Sequence, residues 1–214
     1  MHIRCTGTRA DDDVLQPATL QLLLGIVAAC RQHRVPVVLW CAIPCTGGSQ
    51  WQQVNIARWG LTAKLQAHWA AFRALWKVFR QLAGAVQEAG GLSCVEWPLR
   101  CAYWHDKKVL QLLGGWSKAL VHGCMYGLQP IAPDHQDKYL LKAWRISSSS
   151  ADFAAMLERR CDGSHQHLPI AGAETEPSGY YPEALAHQIH RAAKHFASGF
   201  RGALRPTSST ARST

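Results

Sequence analysis

The sequence has few acidic residues and no long hydrophobic segment. It contains 14 Asp and Glu residues against 23 Lys and Arg residues, which gives a formal net charge of +9. No stretch approaches the ~18 uninterrupted apolar residues of a membrane span, and the first residues lack the apolar core of a signal peptide. We therefore expect a nuclear or cytoplasmic protein that is not secreted and has no membrane partner. The basic charge favours DNA or RNA as a partner, and the alternative is a basic surface that binds nothing.

The sequence also lacks the paired Cys-x-x-Cys spacing of many metal and redox sites, although it has eight cysteines. Several of these cysteines lie in apolar segments, so we expect reduced and mostly buried thiols. A length of 214 residues fits one domain. We expect an α/β domain over residues 1–197 and a basic, disordered tail over residues 198–214, because that tail carries arginines and no acid.

Hydrophobic periodicity predicts alternating strands and helices. Helices are predicted at 17–30, 55–89, 105–113, 151–160 and 182–197, and strands at 37–43, 92–98, 120–125 and 140–147. This order is typical of an α/β sandwich with a mainly parallel sheet.

The segment that begins at Val35 is the most informative part of the chain. Its apolar residues end at Pro44-Cys45 and are followed by Gly47, Gly48 and Ser49. The pattern predicts a buried strand of a parallel sheet, and open α/β sheets bind their ligands at the carboxyl ends of such strands. Cys45 is therefore a candidate nucleophile, and the alternative is a small buried side chain with a structural role.

Glu96 lies near the end of the next predicted strand, on the same side of the sheet as Cys45. A thiolate beside a carboxylic acid suits addition to an electron-poor ring, because the acid can protonate the ring nitrogen that gains charge. Alternatively, Glu96 is favoured only by the dipole of the helix that follows it.

Taken in order, these motifs resemble the DNA cytosine-C5 methyltransferases, most closely their short phage-type forms and related modules of retroelement polyproteins. The Pro44-Cys45 loop and Glu96 are similar to their Pro-Cys and Glu-Asn-Val motifs. The order of motifs agrees over residues 35–189. Further similar segments are Gly123-Cys-Met-Tyr-Gly127, Lys142-Ala-Trp-Arg-Ile146, Cys161-Asp-Gly-Ser-His-Gln-His167 and Tyr181-Pro-Glu-Ala-Leu185.

The resemblance implies methyl transfer from S-adenosylmethionine to cytosine in DNA. It implies that Cys45 adds to C6 of a cytosine that has left the stack and that Glu96 holds N3. It also implies that Ser49, Lys142 and Arg145 bind the substrate, with solvated strand-end residues as the alternative for the two cations.

The sequence departs from this family in its cofactor-binding half. The family's Phe-x-Gly-x-Gly motif is absent, Trp97 and Pro98 replace Asn and Val, and Asp13 and Pro44 are the remaining candidates for cofactor contact. We therefore expect a Rossmann-like three-layer sandwich that lacks the first strands of a class I methyltransferase. Such a domain needs a protein partner, or an upstream segment of a polyprotein, to complete the fold and to methylate. The alternative is a non-catalytic nucleic-acid-binding remnant of a phage-derived or retroelement protein.

Cys161, His165 and His167 form a second candidate site, for a zinc ion. Zinc binds thiolates and imidazoles and takes four ligands, and Cys124, His122 or His135 are the candidates for the fourth. A solvent-facing loop held by hydrogen bonds is the alternative. A third function, a zinc-stabilised interaction module, predicts folding that depends on metal.

Overall fold

The computed structural model describes residues 13–203. Its helices are α1 (Pro17–Gln32), α2 (Gln50–Trp59), α3 (Ala63–Glu88), α4 (Lys107–Leu113), α5 (Ala151–Leu157) and α6 (Glu183–Ala203). Its strands are β1 (Val38–Cys41), β2 (Leu92–Pro98), β3 (Ser117–His122), β4 (Tyr139–Leu140), β5 (Ala143–Ser148) and β6 (His167–Leu168). The predicted α/β class is therefore confirmed.

The main sheet has the strand order β1-β2-β5-β3 and is mixed. β1 and β2 are parallel, with Cys41 opposite Val95, whereas β5 is antiparallel to both β2 and β3. β1, β2 and β3 thus run in the same direction, and β5 lies between β2 and β3 and runs in the opposite direction. The expectation of a mainly parallel sheet needs this correction because apolar periodicity identifies a strand without giving its direction.

Helices cover both faces of the sheet. Side chains of β2 alternate between two cores: Val95 and Trp97 pack with α3 and α4, while Leu92 and Cys94 pack with α5 and α6. The result is the expected three-layer arrangement, with α3 and α4 on one face and α5 and α6 on the other.

The α3 face is packed largely with aromatic side chains. Phe72, Trp76 and Phe79 recur at helical spacing and are buried against β2. Trp97 completes this core, and its indole N–H donates to the carbonyl oxygen of Ile43 at 2.8 Å. This hydrogen bond fixes the chain immediately before Pro44, so the aromatic core helps to position the loop that carries Cys45.

Several predicted boundaries are wrong. The long helix predicted over 55–89 is two helices, because Gly60 takes a positive φ of 72° and Thr62 caps the start of α3. The strand predicted over 120–125 ends at His122, and the apolar residues that follow form the 3₁₀ turn Gly123–Tyr126. Residues 198–203, assigned to a disordered tail, continue α6, and the rest of that tail lies outside the described residues.

β1 is an edge strand of the described sheet. The two helices that flank it in sequence expose large apolar side chains, including Leu22 on α1 at 64% and Trp51 and Trp59 on α2 at 60% and 75%. Edges of this kind are normally covered by further chain or blocked by charged residues. Within residues 13–203, no helix combines the length and the hydropathy needed to cross a bilayer.

Candidate functional site

Cys45 lies just past the carboxyl end of β1, as the sequence predicted. Its carbonyl oxygen accepts a hydrogen bond from the N–H of Gly48 at 2.9 Å, which closes the 3₁₀ turn Thr46–Gly48. The side chain is half-buried and packs on the aromatic core of the α3 face.

The glycines after Cys45 allow this loop to lie close to the segment that follows β2. A Cβ atom on Gly47 would be 2.6 Å from the hydroxyl oxygen of Tyr103, and one on Gly48 would be 2.7 Å from Sγ of Cys101. Both separations are too short for any side chain. The Gly-Gly pair is therefore required to hold the Cys45 loop against the end of the neighbouring strand.

Glu96 is buried within β2, with 6% of its surface exposed. The hydroxyl of Tyr181 donates to its Oε2 atom at 2.5 Å, while its Oε1 atom has no hydrogen-bond partner among the described residues. Burial raises the pKa of Glu96 to about 7, although the hydrogen bond from Tyr181 and the charge of Lys142 act to lower this pKa. Glu96 is thus a carboxyl group that is partly protonated near neutral pH.

Lys142 completes a group of three ionisable side chains. Its ammonium donates to the carbonyl oxygen of Ser178 at 2.6 Å and lies 5.7 Å from the ring centre of Trp144. Burial lowers the pKa of Lys142, whereas the acidic groups of Cys45 and Glu96 act to raise it. Cys45, Glu96 and Lys142 therefore lie close enough for their charges to interact. The sequence had predicted that Cys45 and Glu96 converge, and it had predicted Lys142 separately as a substrate-binding residue.

The Cys45 thiol is not pre-activated in this structure. Burial raises its pKa above the usual range, and Glu96 acts in the same direction, while the positive charge of Lys142 acts to lower the pKa. Since the thiolate is the nucleophile, Cys45 must lose a proton when a substrate binds.

The other predicted site residues make no hydrogen bond or ion pair with these three ionisable side chains among the described residues. Arg145 faces the opposite side of β5, where its guanidinium carbon lies 5.2 Å from the ring centre of Trp104. Ser49 is the N-cap of α2, and Pro44 is exposed beside Cys45. The carboxylate of Asp13 accepts hydrogen bonds within the turn that precedes α1, from the N–H of the residue two positions on and from a glutamine amide.

Tyr181 is a site residue that sequence reasoning missed. It is 85 positions from Glu96, and its ring packs edge-on against Trp40 and Trp144 at centroid distances of 6.1 and 5.7 Å. These aromatic contacts fix the hydroxyl that holds Glu96. In the sequence, Tyr181 was noted only as the first residue of the family-like segment that ends at Leu185. No pattern linked Tyr181 to Glu96.

The Cys/His cluster, defined here as Cys124, Cys161, His165 and His167, is the second site. The ligand atoms of these four residues lie within 4.8 Å of one another, so they could hold a metal ion. The structure thus brings together the three predicted residues and adds Cys124, one of the candidates for the fourth ligand. His122 instead accepts a hydrogen bond from the N–H of Cys161 at 2.9 Å.

Comparison with known proteins assigns no family to the chain. No protein-family model matches it, and neither the curated proteins nor the solved structures contain a match. The chemistry of the residues described above is therefore the basis on which a function can be inferred.

Proposed function

We propose that this chain is a domain of the cytosine-C5 DNA methyltransferase type whose own chemistry is the reversible addition of Cys45 to a cytosine ring. The proposal depends chiefly on the surroundings of the two carboxyl oxygens of Glu96. One carboxyl oxygen is held by Tyr181, and the other is buried beside the carboxyl end of β1 without a partner among residues 13–203. An unpartnered buried polar atom costs roughly 1–3 kcal/mol, which a hydrogen bond to a ligand would recover.

The protonated form of Glu96 matches the needs of cytosine. Because Oε2 already accepts from Tyr181, Oε1 is the atom free to donate a proton. Cytosine N3 is a hydrogen-bond acceptor that becomes more basic when a nucleophile adds to the ring. A carboxyl group with a pKa of about 7 is therefore suited to donate to N3 at neutral pH and to take the proton back.

Addition of the Cys45 thiolate needs only the proton of Glu96, and the exchange that follows needs only water. As the S–C6 bond forms, the electron pair of C5=C6 moves to the C4–C5 bond and the pair of N3=C4 moves to N3, which takes the proton of Glu96. Lys142 stabilises the thiolate before attack. C5 then takes a proton from water. The hydroxide left behind removes the original C5 proton. The C6–S electron pair then leaves with the thiolate, the N3=C4 and C5=C6 bonds form again, and N3 returns its proton to Glu96. The net result is hydrogen exchange between C5 and water.

The described residues do not fit S-adenosylmethionine, which the family resemblance implies as methyl donor. The glycine-rich motif is absent from the sequence, and the carboxylate of Asp13 is engaged in its own turn. We therefore assign no step through this donor. The edge position of β1, together with the exposed apolar side chains on α1 and α2, supports a partner protein or polyprotein segment as the source of the donor site.

A non-catalytic nucleic-acid-binding domain is the second candidate. It is favoured by the formal net charge of +9 and by the raised pKa of the Cys45 thiol. This function predicts DNA or RNA binding that weakens steeply with salt and is unchanged in a Cys45→Ala variant.

The test of cytosine addition is release of tritium from single-stranded DNA that carries [5-³H]deoxycytidine. We expect release by the wild-type chain, none by Cys45→Ala, and a large decrease for Glu96→Gln. The control is Cys30→Ser, since Cys30 lies on α1, and it should match wild type. Oligonucleotides with 5-azacytosine, a more electron-poor ring, should give a covalent adduct on Cys45 by intact mass. Binding without either signal would refute addition and leave the non-catalytic function.

For the Cys/His cluster we infer Zn²⁺ as the ion. Two thiolates and two imidazoles are donors that zinc prefers, whereas Ca²⁺ and Mg²⁺ take oxygen ligands. The support is the donor set itself and the approach of all four ligand atoms.

A further inference from the structure

The Cys/His cluster joins two distant parts of the chain. Cys124 lies in the 3₁₀ turn that follows β3, whereas the other three residues lie in the loop between α5 and α6. In that loop, Sγ of Cys161 lies 3.6 Å from Nε2 of His165 and 3.5 Å from Nε2 of His167.

These two separations match the sulfur–nitrogen edges of a zinc tetrahedron, and the sulfur of Cys124 lies within 4.8 Å of the other ligand atoms. With Zn–S near ~2.3 Å and Zn–N near ~2.0–2.1 Å, a tetrahedral angle places sulfur and nitrogen about 3.6 Å apart. Both measured sulfur–nitrogen distances agree with this value, so an ion at the centre would need little movement of these ligands. Four protein donors also leave no position open for water or substrate, which distinguishes structural zinc from catalytic zinc.

Neighbouring groups orient the ligands around Cys161. Its sulfur accepts a hydrogen bond from the N–H of Gly163 at 3.3 Å, and its own N–H donates to His122. The ring of Tyr139 lies 4.6 Å from that of His165, and its N–H donates to the carbonyl oxygen of Gln166. Contacts of this kind fix ring orientation and reduce the negative charge on the sulfur of a metal thiolate.

The cluster also adjoins the candidate cytosine site. Gly123, next to Cys124, donates its N–H to the carbonyl oxygen of Lys142 at 2.7 Å. A Cβ atom on Gly123 would lie 2.8 Å from the ring of Trp144, so this approach requires glycine. The turn that carries Cys124 thus sets the backbone position of Lys142.

We propose that Cys124, Cys161, His165 and His167 form a closed structural zinc centre, which fastens the loop after α5 to the turn after β3 and fixes the backbone at Lys142. The proposal rests on zinc as the ion and is independent of cytosine chemistry. Loading should therefore stabilise the fold whether or not the chain acts on DNA.

The test is metal titration of the full-length chain after chelation under reducing conditions. We expect one equivalent of Co²⁺ to bind with the intense visible absorption of a tetrahedral ion and a thiolate charge-transfer band, and Zn²⁺ to displace it. Cys124→Ser should weaken binding more than the ~10–100-fold typical of an outer-shell change. Cys30→Ser is the matched control and should bind as wild type.

Alkylation of the wild-type chain gives a second measurement that does not depend on the folding of variants. Zinc should protect Cys124 and Cys161, identified by peptide mass, and should leave the reactivity of Cys30 unchanged. Absence of stoichiometric metal would overturn both the identity of the ion and the centre. Binding of Zn²⁺ with Cys124 unprotected, or binding of Co²⁺ with the weak visible absorption of an octahedral ion, would overturn only the closed four-ligand centre.

Discussion

Replacing Glu96 with glutamine removes a carboxyl group that burial disfavours in its ionised form, while it preserves the shape of the side chain. The pKa of Glu96 is raised from 4.5 to about 7. Because the folded state then holds a proton that the unfolded state has lost, folding stability falls as pH rises through this interval. At ~1.4 kcal/mol per pKa unit, the full effect is about 3 kcal/mol above pH 7.

The assay is urea unfolding of wild type and Glu96→Gln at about pH 5 and pH 8. The neutral variant lacks this ionisation, so its free energy of unfolding relative to wild type should increase by roughly 2–3 kcal/mol between the two pH values. Taking the difference between the two proteins cancels the other titrating groups. The control is Glu88→Gln, which alters an exposed carboxylate on α3. A difference between wild type and Glu96→Gln that stays constant with pH would refute the raised pKa of Glu96 and, with it, the proton-donor role.

Other perturbations test the surroundings of the two sites. Tyr181→Phe removes a hydrogen bond that lowers the pKa of Glu96, so this pKa should rise further and the alkaline limb of C5 exchange should move to higher pH. An unchanged pH profile would contradict this role. Gly48→Ala should lose ~1–3 kcal/mol in urea unfolding, because its Cβ would lie 2.7 Å from Cys101. Gly25→Ala, where nothing lies within 4 Å, should instead gain about 0.5–1 kcal/mol, and equal effects would contradict the packing argument. Chelation at neutral pH should lower the melting temperature of wild type, and an unchanged value would argue against structural metal.

Local pattern was enough to identify several parts of this protein. The apolar segment before Pro44 predicted β1 and placed Cys45 past its end, and the segment that contains Glu96 predicted β2. The short spacing of Cys161, His165 and His167 predicted that these side chains would meet. Each of these features depends on residues close in sequence, where strand periodicity or a single loop limits the geometry.

Other features arise only when distant segments pack together. The direction of β5, the choice of Cys124 as fourth member of the Cys/His cluster and the hydrogen bond from Tyr181 to Glu96 all join residues far apart along the chain. The raised pKa of Glu96 likewise follows from the burial of its carboxyl group in the folded chain. The sequence alone therefore determined β1, β2 and the reactive groups near them, whereas it did not separate β4 from β5 or predict β6. The tertiary structure decided which side chains form hydrogen bonds with each other and which are buried away from water. Both depend on contacts between segments far apart in sequence, which no local pattern encodes.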